Sequence, residues 1–163
     1  MQIEVVIRSP RWRRQPRAKT IVKSAVSAAA KAISTPPAEL AIVLCDDSAI
    51  RALNRTWRGQ NKPTNVLSFP AAGAGPTPRR RGGRPRTSRP HIGDIIIAYE
   101  TSAHEAVAEG KPFPHHLAHL AIHGFLHLLG YDHDDDGDAE IMERLERRIL
   151  KRLAIADPYA ERD

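Results

Sequence analysis

With 163 residues, 41% of them hydrophobic and 27% charged, the chain suits one soluble globular domain, and no apolar run approaches a membrane span. The formal charge of +6 is unevenly spread: residues 71–90 carry six Arg (79, 80, 81, 84, 86 and 89) and no acid, leaving 19 basic against 19 acidic residues elsewhere. A lone Cys45 excludes an internal disulfide, and the N-terminus shows no signal-peptide apolar region, so the expected location is the cytoplasm.

Taken in order, the β-branched run over residues 2–8 predicts a strand stopped by Ser9-Pro10. A basic stretch, Arg11 to Arg17, follows around Trp12. Pro16 is placed to open a helix running to about Ile33, with Ile21, Val22, Ala25, Val26, Ala29 and Ile33 as its apolar stripe. Thr35-Pro36-Pro37 ends it. Residues 39–45 predict a buried strand, after which Asp46 or Asp47 caps a helix with Ile50, Leu53 and Trp57 inward. A turn-rich loop leads to a short strand at Val66 to Phe69. Residues 71–90, rich in Arg, Pro and Gly, offer almost nothing to bury and predict a flexible surface loop. A strand over 92–98, a short helix near 100–109, and helices from about His115 and over 138–153 complete the chain, the last with Ile141, Leu145, Ile149 and Leu153 inward. The interleaving makes this an α+β (mixed α/β) protein: a small mixed sheet of about four strands with helices packed on it, in a single domain over residues 1–163.

The chemistry concentrates in residues 123–133, His-Gly-Phe-Leu-His-Leu-Leu-Gly-Tyr-Asp-His. His123 and His127, four apart on a helix, share one face. Gly130 stands where the helix must stop and turn back, and His133 follows close enough to meet the other two. A lone histidine on a helix is most often a core residue, but the pair, the glycine and the third histidine fall within eleven residues. Three imidazoles with an open fourth position make a catalytic zinc site rather than a closed structural one. The spacing is that of metzincin metalloproteases, except that Gly124 stands where those enzymes carry the glutamate base, which counts against proteolysis.

The same motif, together with Asn54-Arg55-Thr56-Trp57-Arg58-Gly59, Lys62 to Pro70, Ile92-Gly93-Asp94-Ile95 and the helix bearing Glu140, Met142, Glu143 and Glu146, resembles the YbeY family. The blocks come in family order and span about residues 39–153; the Arg-rich stretch before His91 is longer and more basic than the family pattern. The resemblance implies a metzincin-like fold with the active-site helix carrying the histidine pair. It implies a zinc-dependent, single-strand-specific endoribonuclease that matures the 3′ end of small-subunit (16S) ribosomal RNA and serves ribosome quality control. One Zn(II) per chain would sit on His123, His127 and His133, with Arg58 and His123 as the catalytic positions. Its implied partners are ribosomal RNA, ribosomal subunits and ribosome-associated proteins, including an Era-type GTPase.

A guanidinium at position 58 suits the work, since it can hold a phosphate in two parallel hydrogen bonds. Asp132 is placed either to orient His133 or to cap the turn. His119, one turn before His123, is assigned behind the ligands or to the surface, since as a fourth ligand it would close the site. His91, His104, His115 and His116 are expected on the surface, and Asp134, Asp135 and Asp136 to solvate a turn and cap the last helix. Thr64, Asn65 and Ser68 are expected along the cleft. Residues 1–62 hold twelve basic residues against four acidic ones. This basic arm (Arg13 and Arg14), Lys62 and the loop arginines Arg79, Arg80, Arg81 and Arg84 are the candidate RNA-phosphate contacts. A competing reading from another class is an assembly factor that binds RNA around a mainly structural metal, and a metalloprotease is a distant third.

Overall fold

A computed structural model describes residues 1–71 and 89–160. The core is one four-stranded sheet of β1 (Gln2–Ile7), β2 (Glu39–Cys45), β3 (Val66–Pro70) and β4 (His91–Ala98), in the order β1-β2-β4-β3. The first three in that order are parallel, with Ile3 opposite Leu40 and Ile42 opposite Ile95; β3 closes the sheet antiparallel, with Ser68 opposite Ile95.

Side-chain alternation splits the two buried strands between two cores. Leu40, Ile42 and Leu44 of β2 and Ile95 and Ile97 of β4 face one side. Cys45, Ile96 and Ala98 face the other with Leu67 and Phe69. Both faces are therefore covered, which is why β4 reads as an unbroken Ile-Ile-Ile run rather than an alternating one.

The larger core lies under α1 (Ala18–Ala32), α4 (Phe113–Leu128) and α5 (Asp136–Arg152). Alanines on α1 (Ala25, Ala29) and α4 (Ala118, Ala121) are buried where these two helices pack together. The smaller core lies under α2 (Asp47–Arg58), whose N-cap Asp46 accepts the Ala49 N–H at 2.9 Å. Between β4 and α4 runs α3 (Tyr99–Ala108). It is joined to α2 by reciprocal capping: Glu100 accepts the Asp47 N–H at 3.2 Å, and Asp47 accepts the Thr101 N–H at 3.0 Å.

The short 3-10 turn Pro10–Arg14 buries Trp12, which the basic sequence around it obscures. Its indole N–H donates to the Cys45 carbonyl at 2.8 Å, and its ring meets Tyr99 and Phe113 edge-on at 5.2 and 5.9 Å. Burial and the acids Asp46, Glu100 and Asp47 push the Cys45 thiol up to about 12, so it is an inert core residue.

Three expectations about burial are corrected. Trp57, next to the last residue of α2, stays 39% exposed, its ring edge-on to Phe69 with centroids 6.3 Å apart. Ile141 is 52% exposed, because the inward face of α5 runs through Met142, Glu146, Ile149 and Leu150 instead. His116 is buried, not superficial: it faces Glu105, Nε2 to Oε1 3.3 Å. Asp135 caps α5 by accepting the Asp138 N–H at 2.7 Å. Among the described residues no helix is long and apolar enough to cross a membrane.

Candidate metal centre

Helix α4 lies across the larger core with its C-terminal half against β3 and β4. Gly124 makes that seat possible. A Cβ there would stand 2.7 Å from Ile95 Cγ2, and the Gly124 carbonyl accepts the Ser68 hydroxyl at 2.9 Å. Position 124 thus faces the sheet, and a side chain there would meet Ile95 before it met the histidines. A glutamate at this position would have to displace Ile95 in this packing.

On the neighbouring helix face His123 and His127 bring their Nε2 atoms to 3.0 Å. Two ligands about 2.0–2.1 Å from a tetrahedral zinc stand about 3.3 Å apart, so the pair is spaced as two corners of one site. The chain then turns at Gly130, φ 94°, and returns His133 so that its ring centroid is 5.0 Å from that of His127 and 5.5 Å from that of His123. One ring nitrogen from each of the three falls within 4.8 Å of the others. Burial first, then the neighbouring His123 and His133, lowers the pKa of His127, which favours the neutral imidazole that a metal requires. The donor set fits a single divalent ion with a position left open toward solvent.

The opening is a cleft of about 560 Å³ between the edge strand β3 and the returning turn. His123, His127, His133, Asp132 and Asp134 border it on one side, Arg58 and Ser68 on the other. Arg58 donates from Nη2 to the Ser68 carbonyl at 2.8 Å and lies over the Phe69 ring, 5.5 Å from its centroid. One of its five N–H donors is thus spent on posture, and the others are available to an anion.

Beneath the histidines lies a group that the sequence reading passed over. Glu146 of α5, fully buried, receives His123 Nδ1 at 2.7 Å on Oε1 and His119 Nε2 at 2.5 Å on Oε2, where the Tyr159 hydroxyl also donates. Burial alone would raise its pKa, but the hydrogen bonds from His119 and His123 outweigh it and hold the carboxylate at about 2. A legible signal existed: an acid in the same helical column as Met142 and Ile149.

His119 therefore stands behind His123 rather than beside the cleft. Asp132 accepts the His133 backbone N–H at 2.7 Å and comes only to 3.6 Å from His133 Nδ1, so of its two expected roles the structure displays the turn cap. That backbone hydrogen bond lowers the Asp132 pKa, and the adjacent Asp132 raises that of Asp134. Asn65 is tied inward, donating to Glu105 at 3.2 Å, and takes no place in the cleft wall. Lys62 is exposed outside the cleft lining. Arg13 and Arg14 are not brought to the site: their turn packs through Trp12 on Phe113, at the opposite end of α4, roughly 20 Å from His127 at the helical rise. Arg79, Arg80, Arg81 and Arg84 lie outside the described residues.

The mixed α/β fold thus carries, on one helix and the turn that follows it, three histidines that open on a cleft and could hold a metal ion. A family model described as "Endoribonuclease YbeY" matches residues 7–154. Proteins of that name from Rhodopseudomonas palustris (strain BisA53) and Bradyrhizobium diazoefficiens are each 52% identical to it, over 98% of this chain and 91% and 85% of their own lengths. The solution structure of TM1509 from Thermotoga maritima, 20% identical, shares the fold with a TM-score of 0.52 over 98% of this chain and 100% of that one. The chain belongs to the endoribonuclease YbeY family.

Proposed function

We propose that the chain is a zinc-dependent, single-strand-specific endoribonuclease that matures the 3′ end of small-subunit ribosomal RNA and takes part in ribosome quality control. The observation that carries the metal-assisted reading is the convergence of His123, His127 and His133 on an open cleft that Arg58 borders from the other side. RNA as substrate is supported by the names of relatives 52% identical over nearly the whole chain. The single-strand preference, the ribosomal target, the ribosomal subunits and an Era-type GTPase as partners are implied by the family resemblance.

When bound on the three imidazoles, one zinc ion per chain would polarise a phosphate oxygen and lower the pKa of a water. Arg58 holds the phosphate: its guanidinium is pinned by the Ser68 carbonyl and offers its remaining N–H donors to the anionic oxygens, where charge grows during phosphodiester cleavage. Residue 124 takes no proton, since it has no side chain and faces the sheet. Burial and the neighbouring His123 and His133 lower the pKa of His127, and Glu146 stands against His123 Nδ1, which leaves His123 Nε2 on the cleft side.

The test measures metal content and RNA cleavage on the same preparations of wild type, His127→Ala and Arg58→Ala, each checked for folding. Substrates are a small-subunit precursor RNA and its duplex form, with and without ribosomal subunits. The expected result is about one zinc and single-strand cleavage in wild type, both lost in His127→Ala, and metal kept with poor cleavage in Arg58→Ala. Wild type that holds metal and RNA without cutting would make the protein an assembly factor with a structural metal.

A further inference from the structure

The cluster behind the candidate metal centre holds more than a helix contact requires. Glu146 is fully buried between α4 and α5, in line with Met142 and Ile149, where an apolar residue would pack without leaving a charge in the core. Burying a carboxylate costs several kcal/mol, and apolar replacements of buried ionic groups are often neutral or stabilising. As a staple alone, glutamate is a poor choice.

Its partners show what it is suited to do. Both oxygens are occupied, Oε1 by His123 Nδ1 and Oε2 by His119 Nε2 and the Tyr159 hydroxyl. An ionised carboxylate only accepts, so the nitrogens facing it carry their protons. For His123 this leaves Nε2 unprotonated, and Nε2 is the atom that meets His127 Nε2 at 3.0 Å on the cleft side. His119 and Tyr159 hold the second oxygen, so the carboxylate cannot swing away from His123. Tyr159 comes from the segment after α5 and touches His119 edge-on, ring centroids 5.6 Å apart.

We propose that Glu146, held in place by His119 and Tyr159, is a positioning residue that fixes the tautomer and ring orientation of His123 for metal binding. The inference rests on the reading of His123, His127 and His133 as a metal centre. A carboxylate behind a ligating histidine raises the ring's basicity and sets which nitrogen faces the ion, and its loss characteristically weakens metal affinity by about 10–100-fold.

The experiment uses the full chain as wild type, Glu146→Gln, Glu146→Leu and Glu105→Gln, the last altering a carboxylate of α3 that faces the buried His116 of α4. Gln occupies the same space with one accepting atom instead of two, so it cannot receive His123, His119 and Tyr159 together. Each protein is checked by circular dichroism and thermal melting, titrated with Zn(II) and Co(II) against a competing chelator, and examined metal-free by 15N NMR of the His123 ring.

The expected result is a wild-type His123 protonated on Nδ1, and Glu146→Gln and Glu146→Leu proteins that lose this preference and bind Zn(II) about 10–100-fold more weakly. Glu105→Gln should melt earlier with unchanged metal affinity. If Glu146→Leu does not fold, the isosteric Glu146→Gln decides. A folded Glu146→Gln that keeps the tautomer and binds Zn(II) within twofold of wild type overturns the proposal and leaves Glu146 a staple. Wild type that takes up neither ion overturns the metal reading itself, and this inference falls with it.

Discussion

Two of the histidine–carboxylate contacts on helix α4, His116 with Glu105 and His123 with Glu146, share a chemistry and have opposite outlooks. In its first turn His116, its side chain 4% exposed, faces Glu105, whose other oxygen accepts from Asn65. Two turns on, His123 faces Glu146, whose other oxygen accepts from His119 and Tyr159. The difference lies in the far nitrogen of each ring. His116 Nδ1 is buried without a hydrogen-bond partner among the described residues, so that side of the ring is closed to a ligand. His123 Nε2 meets His127 at the wall of an open cleft. The carboxylate sets an imidazole's orientation in both places. What lies on the other side of the ring decides whether the pair is a structural tie or a prepared ligand.

The largest effect is expected from removing the seat that puts the second pair on the cleft. Gly124→Glu would restore the base of the protease pattern on paper, but its Cβ alone would stand 2.7 Å from Ile95 Cγ2. Overpacking costs about 1–3 kcal/mol for small insertions, and a whole glutamate consumes much of a typical stability of about 5–15 kcal/mol. Loss of a cooperative thermal transition is the expected outcome; a folded variant with new peptidase activity would refute the packing account.

Arg58→Ala tests the wall opposite the open pair. Cleavage should fall about 10²–10³-fold, as when one donor to a developing charge is deleted. Metal content should be unchanged, and because the guanidinium is exposed the stability change should stay within about 0.5 kcal/mol. Cleavage rates, metal analysis and a melt on one preparation distinguish this from a structural role.

Acid titration of the metal-free protein tests the carboxylate of the open pair. The folded Glu146 is lowered from 4.5 to about 2, so it contributes stability that is complete above the unfolded value and disappears as pH falls from about 5 toward about 2. The difference corresponds to about 3 kcal/mol. Denaturant melts across that range should show the loss in wild type and a flattened limb in Glu146→Gln.

His116→Ala is expected to cost about 1–3 kcal/mol by emptying a buried site and removing its contact with Glu105, read as a lower melting temperature, while the folded fraction cleaves at the wild-type rate. Were cleavage to fall in step with Glu146 variants, the contrast between closed and open pairs would be wrong. Asp132→Asn should do least, leaving the denaturant melt unchanged, because an amide oxygen can still accept the His133 N–H.

Much of this was legible before the fold. The His123–His127 spacing, Gly130 and the nearness of His133 are local facts, because helical periodicity and one turn decide them. The same holds for β2 over residues 39–45, for a helix cap at Asp46 or Asp47, and for a mixed sheet under helices. Glu146 was not legible as a partner. It belongs to a helix whose apolar stripe reads equally well through Ile141 and Leu145, and its partners lie 23 and 27 residues away. Trp57 and His116 exchanged places with expectation for a related reason. A large aromatic is buried only where the fold supplies a surface to cover it, and His116 is buried where α3 brings Glu105 against its ring.

The sequence by itself determined the three ligand candidates, the strands, the helix boundaries to within a few residues and the uneven charge, since each depends on neighbours in the chain or on composition. Tertiary structure alone decided that position 124 faces Ile95, that Arg58 is pinned across the cleft by the Ser68 carbonyl, and that a buried carboxylate stands behind His123. Those depend on which helix face is pressed against which strand, and that is set by packing the whole core at once.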